Sequence, residues 1–509
     1  MNRVKFFRRR QFVLGPEWVD YEGWNRSQFD DGVLLTVHPD LALTRVDQGG
    51  NSAVLLGYAI DPFHPDRGDQ AILESFLEQV RSITDVTEQL TRLSGRFVLL
   101  VALGDDRWLF HDAVALRQVF HAKDSAGGIW CASQCESISE KLNSERASEV
   151  LDFARLPAFQ RGSAELWFLN DKTPYRGILN LLPNHYLDLR TGQATRYWPG
   201  KGSIPALSIQ ESIERCTPIL QQTIQAASRR FDLRMGISAG NDSRKTLAAS
   251  RGVKDRIYYF SHAPRAGGED INDIRVPARL LPKLGIEHHR LAWNEMDDEF
   301  RRLYEQSATW AREKKGHIAY ILLKHFGPET TVMNSNIAEV SQCIYWLPRN
   351  RIDGRNLAII NGLPHPWAVR ELQAWVDGAT EACAAAGMDI LALFFLEQRM
   401  GRWCTMAFSE YDITHETFNP FNNRYLHSLM LAVDEKHRLD RQWDVSIKHI
   451  EYMWPETLDE PINPQDRFLN KVQQFIRRNI IHKTIAPRWP IYQWLRYLKK
   501  KRRFEKMMS

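Results

Sequence analysis

One stretch, residues 233–250, constrains the fold more than any other part of the chain. It reads LRMGISAGNDSRKTLAAS, a short apolar run followed by small and polar residues and then by an alanine-rich run. This order predicts a strand, a tight loop and the N-terminus of a helix. Free backbone N–H groups and the positive end of the helix dipole suit such a corner to an anion.

The side chains of this loop indicate a phosphate bound together with a metal ion. Ser238 and Ser243 supply hydroxyl donors, and Gly240 allows close approach to the backbone. Asp242 would repel a bare phosphate, but it fits a Mg²⁺ ion placed between carboxylate and phosphate. An ordinary capped turn between a strand and a helix explains the same residues equally well, and both interpretations stay open at this point.

Length and composition exclude several classes of protein. The 509 residues suggest two or three domains, and 43% apolar with 25% charged residues is typical of a soluble globular protein. A net charge of +5 is small for this length, so the molecule as a whole is not an electrostatic binder of nucleic acid. Its 6 scattered cysteines favour free thiols. No membrane-length apolar run or signal-peptide pattern occurs, so we expect a cytoplasmic protein.

Hydrophobic patterning divides the chain into two main regions. Residues 1–202 contain short apolar runs between Gly and Asp turns, and a helical pattern at 70–83, which predicts an α+β domain with a β-sandwich and helices. In residues 203–475, apolar runs such as 256–261 and 288–293 alternate with helical segments. That alternation predicts an α/β domain with a parallel sheet, a ligand at the carboxyl ends of its strands, and a helical C-terminal part.

The loop sequence Ser-Ala-Gly-Asn-Asp-Ser resembles the pyrophosphate loop of the asparagine synthetase family, whose pattern is Ser-Gly-Gly-x-Asp-Ser, with Ala239 in place of one glycine. The resemblance implies an ATP-pyrophosphatase domain that uses ATP and Mg²⁺, with Asp242 as a metal ligand and Ser261 near the adenine. It also implies that the loop binds ATP and pyrophosphate through Ser238, Gly240, Asn241, Asp242 and Ser243.

The first region resembles the glutamine amidotransferase domain of the same family. The matching segments follow the family's order: 95–97 with Asp112, 128–133 and 182–198. The family's glutaminase uses an N-terminal cysteine, whereas residue 2 here is Asn and the first cysteine is Cys131. Without a thiolate nothing attacks the glutamine amide. The resemblance therefore implies a degenerate domain and a chain that is not glutamine-dependent, as in β-lactam synthetases and lasso-peptide cyclases, which use an amine.

Two later segments depart from the family pattern. The segment NSNIAEV resembles the fourth-strand loop, but Ala338 occupies the position of an aspartate that helps bind Mg²⁺–pyrophosphate, while Glu339 keeps the glutamate. Glu339 is therefore a candidate general base for the amine, with a surface loop or a buried structural glutamate as the alternatives. The family's late catalytic lysine has no counterpart where it is expected, and Lys448 or Lys471 is its candidate substitute.

The tail at 476–509 interleaves basic residues with Trp, Tyr and Phe. A solvated end is the common outcome for such a segment. The sharper interpretation is a peripheral anchor on an anionic membrane surface, since basic residues beside Trp and Tyr suit such a surface. Nucleic acid is a third option, but no recognisable DNA- or RNA-binding module supports it.

Together, these patterns predict an AMP-forming ligase that adenylates a carboxylate and transfers it to ammonia or an amine. The acid is a small molecule or a carboxylate on a peptide or glycan, and nucleic acid is not a partner. We expect the protein in the cytoplasm, including a peripheral position at the inner face of the membrane. A non-catalytic scaffold or membrane-associated assembly factor is the alternative, favoured by the missing cysteine, aspartate and lysine of the family.

Overall fold

The computed structural model describes residues 3–160, 164–268, 270–439, 444–464 and 489–508. Within these ranges the strands form three sheets. The strands are β1 Phe12–Gly15, β2 Asn25–Asp30, β3 Val33–Val37, β4 Leu43–Gln48, β5 Asn51–Ile60, β6 Ser94–Leu103, β7 Asp106–His111, β8 Phe120–Lys123, β9 Ile129–Ala132, β10 Leu179–Asn180, β11 His185–Asp188, β12 Ala194–Arg196, β13 Leu233–Gly236, β14 Ile257–His262, β15 His288–Leu291, β16 Thr331–Met333 and β17 Glu416–Phe418.

Helices accompany each of the sheets. The α-helices are α1 Arg3–Phe6, α2 Asp69–Gln79, α3 Ile83–Arg92, α4 Cys135–Leu142, α5 Ser148–Ala154, α6 Pro157–Gln160, α7 Ile209–Arg230, α8 Asn241–Ala249, α9 Asn272–Lys283, α10 Asp298–Ser307, α11 Glu313–Phe326, α12 Gly354–Asn361, α13 Pro366–Ala386, α14 Ile390–Phe394, α15 Thr405–Tyr411, α16 Arg424–Leu431, α17 Glu435–Arg438, α18 Asp444–Met453 and α19 Trp489–Met508. Shorter 3₁₀ helices span Arg251–Arg256, Asn336–Ser341, Arg349–Arg351 and Pro455–Leu458, and a π-helix spans Phe395–Cys404. No helix in the described ranges is both long and apolar enough to cross a bilayer.

The first region is built from two six-stranded sheets. Their strand orders are β10-β8-β9-β1-β3-β2 and β12-β11-β7-β6-β5-β4, and their neighbouring strands run antiparallel. Leu14 and Val37 from one sheet share a core with Leu56 and Leu100 from the other, so the sheets face each other as a sandwich. Helices α2 and α3 cover the outer face of the second sheet. The antiparallel sheets and accompanying helices agree with the predicted α+β region.

The second region contains a five-stranded parallel sheet in the order β15-β14-β13-β16-β17. Met235 in β13 lies opposite Tyr259 of β14 on one side and Met333 of β16 on the other. After β13 the chain adds β14 and β15 on one side of it, and later adds β16 and β17 on the other side. In parallel sheets the ligand crevice lies outside the strand ends at such a reversal. The loops after β13 and β16 meet at that point.

Helix α9 contains two interior prolines, Pro277 and Pro282. An interior proline removes a helix hydrogen bond and adds steric strain. Here the helix buries Leu280 and Leu281 in the large core beside the parallel sheet, and this packing outweighs the local penalty.

A buried polar network joins the two regions. Arg96 of β6 contacts both carboxylate oxygens of Asp412, at 2.5 and 2.8 Å, and Glu416 at 2.7 Å. Arg117 adds a second contact to Glu416 at 2.8 Å. Charges buried in this way need complete pairing, because removing one partner leaves the other uncompensated. The boundary between residues 202 and 203 remains a prediction.

Candidate functional site

The loop after β13 is held in a tight turn by hydrogen bonds of its two serines. The hydroxyl oxygens of Ser238 and Ser243 are 3.1 Å apart, and the N–H of Gly240 donates to the Ser238 hydroxyl at 3.1 Å. Gly240 is the N-cap of α8, and within the described part of the chain no side chain caps this helix. The first turn of a helix has N–H groups without intrahelical partners, so this end is suited to accept an anion.

The first turn of α8 holds buried polar atoms that have no hydrogen-bond partner among the described residues. Asn241 is 5% exposed, and neither its amide oxygen nor its amide nitrogen has a hydrogen-bond partner among the described residues. The Oδ1 atom of Asp242 is also buried and unpaired within that same set. Leaving a buried polar group unsatisfied costs about 1 to 3 kcal/mol. Such groups at an uncapped helix N-terminus indicate a place for a ligand.

A second carboxyl group completes the centre of the site. Glu339 lies in the 3₁₀ helix Asn336–Ser341, which follows β16. Burial raises the pKa of Glu339 to about 7, and the nearby charge of Asp242 contributes to that rise. Burial likewise raises the pKa of Asp242 to about 6. The charge of Asp242 thus disfavours ionisation of Glu339, an effect that a bound cation would relieve.

The donor set suits a magnesium ion that is shared with phosphate. Mg²⁺ is commonly held by one or two carboxylates, with the remaining ligands from phosphate oxygens and water. Asp242 and Glu339 supply such a pair. Over the described ranges there is no group of three or more His, Cys, Asp and Glu side chains placed to hold a metal by themselves. A metal in this site would thus depend on the phosphates of its ligand.

A buried lysine that the sequence analysis missed lies beside this pair. Lys245 is completely buried in α8, and its ammonium donates to the Ser341 hydroxyl at 2.9 Å. Burial lowers the pKa of Lys245 to about 8, although the charge of Asp242 opposes that shift. Thr246 donates to the Ser335 hydroxyl at 2.7 Å and makes a second connection to the loop after β16. The sequence did contain a signal for this residue, because Lys245 is a charged residue followed by the small residues of a helix that is buried.

The remaining predicted site residues lie farther out. Ser261 is buried in β14, where its hydroxyl donates to the Ile237 carbonyl at 2.6 Å, beside the loop. Lys448 is exposed on α18, whereas Ser446 of the same helix is buried 3.4 Å from the Ser341 hydroxyl. Roles in adenine binding for Ser261 and in catalysis for Lys448 stay predictions. Lys471 lies outside the described residues.

The segment expected to carry the family's late lysine instead holds the loop through hydrogen bonds. Arg244 of α8 donates to the carbonyls of Thr457 and Glu460 at 2.5 and 2.8 Å. The N–H of Asn463 donates to the Ala239 carbonyl at 2.9 Å. These backbone contacts fix the outer side of the loop, so the segment positions the loop and presents no lysine to it.

A cation from the π-helix, Arg399, lies near enough to Glu339 to influence its pKa. Arg399 lies 3.6 Å above the ring of Trp403, whose indole N–H donates to Glu165 at 2.8 Å. The positive charge of Arg399 opposes the upward shift of the Glu339 pKa. Among the residues described, no carboxylate lies within 4 Å of Arg399 as an ion-pair partner. π-Helical segments often occur at functional sites, but no sequence pattern announced this one.

Comparisons with known proteins give distant structural likenesses. No family model matches the chain, and no curated protein matches it. One similar solved structure is described as the allosteric regulatory enzyme of purine biosynthesis, with a TM-score of 0.24 and 10% identity over 57% of this chain and 76% of that one. Another is the glutamine phosphoribosylpyrophosphate amidotransferase of B. subtilis complexed with ADP and GMP, with a TM-score of 0.23 and 11% identity over 50% of this chain and 60% of that one. At these scores the likenesses carry no conclusion about the site, which rests on its own geometry.

Proposed function

We propose that this chain is an ATP-dependent ligase that adenylates a carboxylic acid and transfers the acyl group to ammonia or an amine. The observation that carries the proposal is a set of buried polar atoms at the uncapped N-terminus of α8, near Glu339. The amide of Asn241 and the Oδ1 atom of Asp242 are buried there without hydrogen-bond partners among the described residues. A purely structural turn would satisfy these groups internally.

The residues divide between phosphate binding and metal binding. The serine hydroxyls and the first-turn N–H groups of α8 would hold the pyrophosphate portion of ATP. Asp242 and Glu339 would hold Mg²⁺, which supplies neutralisation of charge on the departing pyrophosphate. Lys245, whose pKa is lowered by burial to about 8, keeps α8 and the loop after β16 together through Ser341.

The chemistry proceeds in two balanced steps. A carboxylate oxygen of the acid attacks the α-phosphorus of ATP, and the bond to the bridging oxygen breaks so that pyrophosphate leaves with the electron pair. The amine nitrogen then attacks the acyl carbon, and AMP leaves as the amide forms. The amine must lose a proton in this second step. A carboxylate bound to Mg²⁺ stays ionised and is a poor base, so Glu339 takes up this proton only where Asp242 alone holds the metal.

Ammonia or the amine would be taken up directly. Cys131 and Cys135, the first two cysteines of the chain, are both buried, and burial raises the pKa of each thiol. A thiol that stays protonated is a poor nucleophile. These two residues therefore do not replace the amidotransferase cysteine, which supports a reaction that does not depend on glutamine.

Calorimetric titration with Mg·ATP tests the proposal. The substitution Asp242→Asn should weaken Mg²⁺-dependent binding at least tenfold, because it removes a charged ligand, while the melting temperature is unchanged or higher. Asp298→Asn, an exposed aspartate in α10, is the matched control and should bind as the wild type does. Pyrophosphate release in the presence of candidate acids, with hydroxylamine to trap the activated acyl group, then identifies the acid.

Two outcomes of this titration would contradict the assignment. Equal affinity in wild type and Asp242→Asn would remove Asp242 from the site. If the wild type shows no Mg²⁺-dependent affinity for ATP, the ligase proposal is wrong and the non-catalytic scaffold takes its place.

A further inference from the structure

The C-terminal helix α19 is docked against the protein through its aromatic side. Tyr497 and Phe504 are 3% and 2% exposed and belong to the large core. The Tyr497 hydroxyl donates to Asn356 of α12 at 2.5 Å, and the Lys500 ammonium donates to the Ile360 carbonyl. The sequence interpretation assigned the aromatic residues of this segment to a membrane interface. In the structure, Tyr497 and Phe504 hold the helix in place instead.

The opposite side of α19 is a continuous basic face. Its exposed members are spaced three or four residues apart, the spacing of neighbours on one side of a helix. These residues, here called the basic face, are Leu495, Arg496, Lys499, Arg502, Arg503, Lys506 and Met507. Glu505, also exposed, lies at the edge of the face within 3.8 Å of both Arg355 and Lys501. The face itself therefore carries five cations and no acid.

Two large apolar side chains stand exposed among these cations. Leu495 is 60% exposed and Met507 is 47% exposed. At 1.5 Å per residue they lie about 18 Å apart along the helix. Exposed apolar groups flanked by Lys and Arg are typical of helices that lie in the plane of a membrane interface.

We propose that the basic face of α19 is a docking surface for an anionic lipid bilayer. Five cations match the negative headgroups, and Leu495 with Met507 would enter the region between headgroups and acyl chains. A nucleic-acid backbone would complement the cations but would leave both apolar side chains facing phosphate. Because Tyr497 and Phe504 are already buried, the association depends mainly on charge and falls as salt screens it.

Sedimentation of the full chain with lipid vesicles tests this surface. Wild type should pellet with vesicles of phosphatidylcholine and phosphatidylserine, but not with phosphatidylcholine alone, and half a molar salt should release most of it. The triple substitution Arg496→Glu, Lys499→Glu and Arg503→Glu should lower partitioning at least about a hundredfold, since each basic residue near such a surface contributes about 1 kcal/mol. Leu495→Ser should reduce the binding that remains at high salt.

The matched control makes the same change in charge elsewhere on the molecule. Lys123→Glu, Lys201→Glu and Arg302→Glu are exposed positions outside α19, and this variant should keep most of the binding. Equal loss in both triple variants would show a diffuse charge effect and overturn the proposal. The proposal would also be overturned if wild type does not bind acidic vesicles, including the case in which it binds duplex DNA instead. If the α19 triple variant does not fold, the single change Lys499→Glu replaces it, with Lys201→Glu as its control.

Discussion

Two aspartates, one in each region, differ in how their carboxylate oxygens are hydrogen-bonded. Asp112 follows β7, is 1% exposed, and has a full set of donors. Those donors are the N–H groups of Phe97 at 3.2 Å, Leu116 at 2.7 Å and Arg117 at 3.0 Å, and the Asn422 amide at 2.8 Å. Asp242 follows β13, and its Oδ1 atom is buried without any partner that the structure describes. A carboxylate with every bond made stabilises the structure, whereas one with an open oxygen is available to a ligand.

The largest effect that sharpens this comparison is the loss of the satisfied carboxylate. Asp112→Ala leaves backbone N–H groups and the Asn422 amide without their acceptor in the buried joint between the two regions. Each buried group left unsatisfied costs about 1 to 3 kcal/mol, so we expect a destabilisation of about 3 to 5 kcal/mol. Denaturant unfolding measures it. A loss below 1 kcal/mol would contradict the structural role of Asp112.

The open carboxylate should instead make stability fall as pH rises. Burial raises the pKa of Asp242 from 3.8 to about 6, so the folded state binds more protons than the unfolded state between these values. The associated stability is fully present below pH 4 and is lost as pH rises through 6, with a total of about 2 to 3 kcal/mol.

Denaturant unfolding of wild type and Asp242→Asn across this range measures that loss. The variant should gain stability over wild type between pH 4 and 7.5, and in it Glu339 also loses the nearby charge of Asp242. Saturating Mg·ATP should remove the difference by binding the ionised carboxylate of the wild type. A difference in the free energy of unfolding that stays constant with pH would show that folding does not raise the pKa of Asp242.

The smallest effect concerns two asparagines. Asn241→Leu removes amide groups that have no partners in the described chain, so we expect stability within about 1 kcal/mol of wild type, together with weaker ATP binding. Asn422→Leu is the matched control, because its amide bonds the Gly95 carbonyl at 2.7 Å, Asp112 at 2.8 Å and the Val114 N–H at 3.0 Å. It should cost about 2 kcal/mol or more. Equal costs at the two positions would remove the distinction between them.

The local features of the site could be predicted from the sequence, whereas contacts between distant segments could not. The corner at 238–243 was visible because strand, loop and helix N-terminus are encoded within a few neighbouring residues. The position of Glu339 beside Asp242 depends on β16 pairing with β13, and no local pattern specifies which strands become neighbours. Arg399 was missed for the same reason, whereas Lys245 had a local signal, a lysine among the small residues of α8. Burial of Tyr497 and Phe504 in α19 likewise depends on distant parts of the chain such as α12.

The strand order also determines when the site can exist during synthesis. β13 and β14 are close in sequence and can pair early, but β16 joins β13 only after the chain from α9 through α11 has been made. Closing so long a loop adds only a small entropic penalty, yet non-local pairing of this kind slows folding. A nascent chain that ends before β16 therefore has the serine loop without Glu339. Capture of a metal–nucleotide complex by both carboxyls would then report completed folding of the parallel sheet.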